Sequence, residues 1–157
     1  MGTQIYLDFE SPSDLSVLVW QEAERIEQKF SRFRQDSELS VFNNHLNTWH
    51  EIDNEWQDLL GLSLKLKKIT DGALDITIKA TLDSWGYDDQ YSLQESGKSS
   101  ALGLFEIKNN KFKSNTEIDF GSIGKGYFLD RVKEIFEKNN IQNYFINAGG
   151  DLSLIHI

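Results

Sequence analysis

The sequence predicts an α+β fold, and three observations carry the prediction. Long segments place apolar residues at helical spacing, short apolar or alternating runs are bounded by turn residues, and the two kinds of segment do not alternate strictly. Strict alternation would indicate a parallel sheet wrapped by helices; its absence favours mixed helices with hairpin-linked, largely antiparallel strands. The length of 157 residues allows one domain.

Gln4 to Phe9 reads Q-I-Y-L-D-F and partly alternates, which predicts a first strand. Ser11-Pro12-Ser13-Asp14 opens a helix: Ser11 can cap, Pro12 suits the first turn and Asp14 favours the positive end of the dipole. Leu15, Leu18, Val19, Ala23, Ile26 and Phe30 follow as its buried stripe, with Glu22, Arg25 and Lys29 expected outside. After a polar connection over 31–36, Ser37-Glu38-Leu39-Ser40 starts a short helix ending near Asn43-Asn44. A third helix is expected from Asp53 to about Ile69, with Trp56, Leu59, Leu60 and Leu64 inward. Thr70-Asp71-Gly72 stops it, glycine suiting a left-handed cap.

Leu104–Lys108 and Lys111–Ser114 flank Asn109-Asn110, a hairpin signal. Glu117–Phe120 reads as a short strand, and Gly121–Gly126 as a loop opening a helix that buries Leu129, Val132, Ile135 and Phe136 and ends at Asn139-Asn140. Tyr144–Asn147 is a buried strand and Ala148-Gly149-Gly150-Asp151 a turn.

Composition narrows the chemistry. The formal net charge is −9 and the pI about 4.8, so the chain as a whole repels phosphate backbones and no nucleic-acid partner is expected. With no Cys, disulfides and thiolate catalysis are excluded. His45, His50 and His156 form no H-E-x-x-H arrangement. No stretch approaches the roughly 18 apolar residues of a membrane span, and no basic-then-apolar segment opens the sequence. An acidic chain that takes a polyphosphate ligand needs local help from a metal, a helix N-terminus or a placed Lys.

Four segments are candidates for chemistry. In Ile118-Asp119-Phe120-Gly121-Ser122-Ile123-Gly124-Lys125-Gly126-Tyr127 a strand runs into a glycine-rich loop and then a helix, with Lys125 in its first turn. Such a loop either lets backbone N–H groups approach an anion or is a tight turn beside a surface Lys; its spacing fits neither the P-loop nor the dinucleotide fingerprint. In Thr70-Asp71-Gly72-Ala73-Leu74-Asp75-Ile76-Thr77, Asp75 stands between apolar residues and must be paired, metal-linked or the cap of the next turn. The Trp85-Gly86-Tyr87 cluster reads as core. In Ser31-Arg32-Phe33-Arg34, Phe33 either stacks on a flat ligand ring or tucks into the core. Asn147-Ala148-Gly149-Gly150-Asp151 permits a sharp turn or a close backbone approach.

Together, and in this order, these segments resemble the ApbE family of FAD:protein FMN transferases. The landmarks are Met1-Gly2-Thr3; Ser31-Arg32-Phe33 with Ser37, Leu39 and Asn43; Gly72 to Thr77 with Trp85-Gly86-Tyr87; Asp119 to Asp130; and Asn147 to Asp151. The resemblance implies a T-fold-like domain that binds FAD as substrate with Mg²⁺, transfers FMN to a Thr or Ser hydroxyl of a target flavoprotein, and releases AMP. It places Met1, Phe33, Ala73, Leu74, Asp75, Asp119 and Lys125 at FAD, and the backbone carbonyl of Ser122 on Mg²⁺. Many members carry Tyr where Phe33 stands, and a proline commonly precedes the leucine where this chain has Ala80-Thr81-Leu82.

The resemblance implies that the family's remaining Mg²⁺ ligands and a further FAD contact lie in a C-terminal half, in an Asp-rich segment that this sequence lacks. The resemblance therefore reads residues 1–151 as the N-terminal part of one transferase domain, truncated, with no catalytic base assigned and no activity expected of the chain by itself. Leu152-Ser153-Leu154-Ile155-His156-Ile157 is expected to be a non-native tail, since CTG TCT CTT ATA CAC ATC, a transposon end, translates to these residues. A cell-envelope location is typical of the family. An FAD pyrophosphatase giving FMN and AMP, and a non-catalytic flavin-binding module, are the alternative functions.

Overall fold

The computed structural model describes residues 4–11, 14–86, 94 and 102–155. The first strand, β1 (Ile5–Phe9), leads to α1 (Ser16–Phe30), α2 (Glu38–Asn43), the two-residue β2 (His50–Glu51) and α3 (Asn54–Ile69). A single 3₁₀ turn (Ile76–Ile78) runs into α4 (Lys79–Ser84), followed by β3 (Phe105–Lys108), β4 (Lys111–Ser114), α5 (Gly124–Lys138), β5 (Tyr144–Ala148) and β6 (Asp151–Ile155). Two three-stranded antiparallel sheets result, ordered β1-β5-β6 and β2-β4-β3. The α+β expectation holds.

The helices lie where the apolar periodicity puts them. Leu15, Val19, Ala23, Ile26 and Phe30 are buried, as are Trp56, Leu59 and Leu60 of α3 and Phe128, Leu129, Val132 and Phe136 of α5. The sheet β1-β5-β6 contributes Tyr144, Ile146 and Ala148 of its central strand. Aromatic edges meet faces at the centre: the Phe30 ring lies 4.9 Å from Trp56 and 5.6 Å from Phe120, both T-shaped, a geometry the ring quadrupoles favour. The hairpin turns at Asn109, at positive φ of 54°, and the third helix stops at Asp71 and Gly72, at φ of 50° and 85°.

Several expectations are corrected. The first helix starts at Ser16, with Leu15 at the cap position offering no side-chain bond; the Asp14 carboxylate instead accepts the Ser16 N–H at 2.9 Å. Pro12 and Ser13 lie outside the described residues. Leu18 and Leu64 are exposed, while Lys29 and Ser63 are buried. Lys29 goes inside because α3 flanks α1 closely enough for its ammonium to reach Asp53 and Glu55. Arg25 joins Glu55 at 2.7 Å and Glu22 at 2.7 Å, and Arg131 of α5 reaches Glu22 at 3.1 Å, so charges stitch α1, α3 and α5 together. Trp85, expected in the core, is exposed, and Tyr87 lies outside the described residues. The 3₁₀ turn, α4 and β2 carry no strong periodic signal and are added by the structure.

Glu117–Phe120, expected as a strand, belongs to none. Its backbone is satisfied by a side chain: Asn43 Nδ2 donates to the Ile118 carbonyl at 2.9 Å, and the Ile118 N–H donates to Asn43 Oδ1 at 2.9 Å. An amide side chain carries N–H donors beside an acceptor oxygen, so it can meet a backbone carbonyl and N–H at once, as a strand neighbour would.

Candidate functional site

The glycine-rich loop is held from both ends. Upstream, beside the Asn43 clamp on Ile118, the Asp119 N–H donates to the Ile76 carbonyl at 2.8 Å. Downstream, the Phe120 carbonyl accepts from the N–H groups of Ile123 at 2.9 Å and Gly124 at 2.6 Å, turning the chain into α5. No side chain caps that helix. A Cβ at Gly121 would lie 2.8 Å from Asp119 Oδ2, so glycine there allows the carboxylate to sit against the loop backbone. Ser122 at the crest is exposed.

Asp119 is only 7% exposed. Its charge is faced by Arg32, whose Nε stands 3.8 Å from Oδ1, and Arg32 also stands 3.8 Å from Asp83 of α4. Lys79, likewise buried, pairs with Asp83 at 2.7 Å and Glu117 at 3.5 Å. Two cations and three carboxylates therefore share one partly buried cluster. Burial pushes the Asp119 carboxyl above its ordinary range; Arg32, the Gly121 N–H and Lys79 pull it down, and Asp83 pushes it up.

Phe33 lies on the lip of this cluster, 36% exposed, with the Arg32 guanidinium 4.6 Å from its ring centroid. Its loop is fixed locally: the Ser37 hydroxyl donates to the Ser31 carbonyl at 2.6 Å and accepts the Ser40 N–H at 3.0 Å. The ring is thus displayed rather than tucked into the core.

In the Gly72 block, Ala73 is exposed and Leu74 packs part-buried against the core. Asp75 is buried; Oδ1 accepts from the Thr77 N–H at 2.9 Å and the Thr77 hydroxyl at 2.8 Å, while Oδ2 meets Lys67 Nζ at 2.5 Å. Burial works to raise this carboxyl, but Lys67 and Thr77 together hold it below the ordinary range. Asp75 is therefore both the cap of the 3₁₀ turn and an ion-pair partner. Lys125 reaches Asp151 at 3.5 Å, which ties the first turn of α5 to the Gly149-Gly150 turn, both of whose glycines have positive φ.

The structure thus gathers Phe33, Asp119 and the segment after Asp75 around one loop. It pairs Lys125 with Asp151 and turns the Asp75 carboxylate toward Lys67. Met1 lies outside the described residues. Sequence reasoning missed Arg32, Lys79, Asp83 and Glu117; the four-residue spacing of Lys79 and Asp83 on one helical face was the available signal. Among the described residues, no group of three or more His, Asp or Glu is disposed to hold a metal, and no helix is long and apolar enough to cross a membrane.

The FAD:protein FMN transferase of Haemophilus influenzae is 31% identical over 177 residues, covering 97% of this chain and 51% of that protein. Its counterpart from Escherichia coli K12 is 22% identical, covering 94% and 47%. The chain spans about half the length of these curated relatives. Among solved structures, the ApbE protein of Thermotoga maritima superposes with a TM-score of 0.83 at 29% identity, covering 98% of this chain and 56% of that one. The flavin transferase ApbE of Vibrio cholerae does so with a TM-score of 0.83 at 22% identity, covering 100% and 57%, which supports the fold. The family model described as ApbE matches residues 1–156, nearly the whole sequence. On the order of its motifs, on its fold and on this match, the chain belongs to the ApbE family.

Proposed function

We propose that this chain forms the flavin-binding part of an FAD:protein FMN transferase, which moves FMN from FAD to a Thr or Ser hydroxyl of a target flavoprotein and releases AMP. The observation that carries the reading is the glycine-rich loop clamped by Asn43 and Ile76 at an uncapped helix N-terminus, with the displayed Phe33 ring beside it. The loop offers backbone N–H groups and the positive end of the α5 dipole to a pyrophosphate, and Lys125 adds a point charge in the same turn. These local features overcome the −9 charge of the chain. Phe33 supplies a flat apolar surface for a ligand ring.

In the reaction the acceptor hydroxyl oxygen bonds to the FMN phosphorus and gives up its proton to solvent, the pyrophosphate bond on the FMN side breaks, and AMP leaves with the bridging oxygen. Mg²⁺ would neutralise pyrophosphate charge in such a transfer. For that metal this chain supplies the Ser122 carbonyl but no cluster of three carboxylate or imidazole groups among the described residues, which does not fit a complete metal site.

The test uses the full-length protein of the parent gene with FAD, Mg²⁺ and an acceptor flavoprotein carrying a Thr or Ser at its attachment site. The expected result is an FMN phosphodiester on that hydroxyl and one AMP per adduct, read by mass spectrometry. Release of FMN and AMP without adduct would replace the reading with a pyrophosphatase, and FAD binding without turnover would replace it with a binding module.

A further inference from the structure

We propose that Arg32 is a positioning residue for flavin binding: it fixes the Phe33 ring and the Asp119 carboxylate relative to one another, and so sets the spacing between ring platform and glycine-rich loop. The inference rests on the flavin-binding reading above.

Arg32 is 6% exposed, and a buried cation requires matched partners. Two of them come from separate elements, Asp119 from the glycine-rich loop and Asp83 from α4, each at 3.8 Å. The same guanidinium lies 4.6 Å from the Phe33 ring centroid. A planar, forked group can present separate edges to two carboxylates and a face to an aromatic ring; an ammonium cannot. Arg32 therefore joins the loop after α1, α4 and the segment before α5, three stretches joined by no shared strand. Lys79 and Glu117 complete the charges around it, on the side of α4. The guanidinium lies over the Phe33 ring itself, so its placement and that of the ring are coupled by direct contact.

A purely structural Arg32 would matter for stability alone, and the experiment separates the two roles. In the full-length protein, Arg32→Gln, Asp119→Asn and the double variant are titrated with FAD by flavin fluorescence, and thermal unfolding is followed in parallel. Arg32→Gln is expected to weaken FAD binding about tenfold or more, the scale of one charge-assisted contact. Because Arg32 acts through Asp119 and Phe33, the double variant is expected to bind no more weakly than the weaker single variant. Multiplicative losses in the double variant, or an Arg32→Gln affinity equal to wild type, overturn the proposal. Should Arg32→Gln fail to fold, Arg32→Lys decides: it keeps the charge without the fork and is expected to fold yet bind FAD several-fold more weakly, whereas wild-type affinity overturns the proposal. A wild-type protein that takes no FAD removes the flavin-binding reading together with this inference. Wild-type binding with an indifferent Arg32 removes this inference alone.

Discussion

Asn43 and Ile118 stand 75 residues apart in sequence and are joined by two hydrogen bonds, each 2.9 Å, with Asn43 serving at once as donor and acceptor. The pair fixes where the glycine-rich loop begins. Asn43→Ala would strand a buried N–H and a buried carbonyl, at about 1–3 kcal/mol each. The expected outcome is a loss of about 2–5 kcal/mol in urea denaturation, with weakened FAD binding under conditions where the variant stays folded. A loss below about 0.5 kcal/mol, the range of an ordinary surface change, would show the clamp to be dispensable.

Lys125→Ala is expected to weaken FAD binding by about 1.5–3 kcal/mol, the worth of one charge-assisted hydrogen bond. The side chain is one-third exposed and paired with Asp151. Fluorescence titration of the full-length protein reads the effect. An unchanged affinity would leave Lys125 as a tether for the Gly149-Gly150 turn and nothing more.

Asp119→Asn separates stability from binding. The wild-type carboxyl is held above its ordinary range, chiefly by burial, so the folded chain binds a proton more readily than the unfolded one and ionising Asp119 costs stability as the pH rises. Removing that charge also leaves Arg32 and Lys79 matched by Asp83 and Glu117. The variant is therefore expected to melt at or above the wild-type temperature at neutral pH while losing FAD affinity. A clear fall in melting temperature would mean that Asp83 alone does not match the buried Arg32.

Glu55 governs an acid-sensitive limb. Burial alone would raise its carboxyl, but hydrogen bonds from Arg25, Lys29 and Tyr127 hold it down to about 2, against 4.5 for an exposed glutamate. A depressed folded value stabilises above the unfolded one, and that contribution drains away as the pH falls from about 4.5 toward 2. Glu55→Gln is expected to be less stable than wild type at neutral pH, with the gap narrowing through this window in a denaturation series. A gap independent of pH would place the effect in packing rather than charge.

The sequence made the core legible because its burial follows helical period: Val19, Ile26, Trp56, Leu60, Val132 and Phe136 stand where spacing alone puts them. Lys29, Leu18 and Leu64 were misread because their burial depends on which neighbour flanks the helix, and periodicity carries no information about that. Glu117–Phe120 has the composition of a strand, yet its neighbour is the side chain of Asn43. In the candidate site, the order of motifs singles out Phe33, Asp119 and Lys125, and of these the structure brings Phe33 and Asp119 together around Arg32. Arg32 and Lys79 were not legible, since an Arg or Lys in a polar stretch has the look of a solvated residue until partners converge on it from elsewhere in the fold.

The pairing of β1 with β5 has a consequence for biosynthesis. Ile5 lies opposite Ala148 and Phe9 opposite Tyr144, so β1 leaves the ribosome before α1 to α5 and must wait for all of them before its partner β5 emerges. Until then Ile5, Leu7, Phe9 and the open hydrogen-bonding edge of β1 lack the core and the strand that cover them in the fold, a surface on which other nascent chains can template. Slowing translation between α1 and β5 would lengthen that exposure. Yield in cells should therefore respond to elongation rate and to chaperones that shield early strands, even for variants whose equilibrium stability is unchanged.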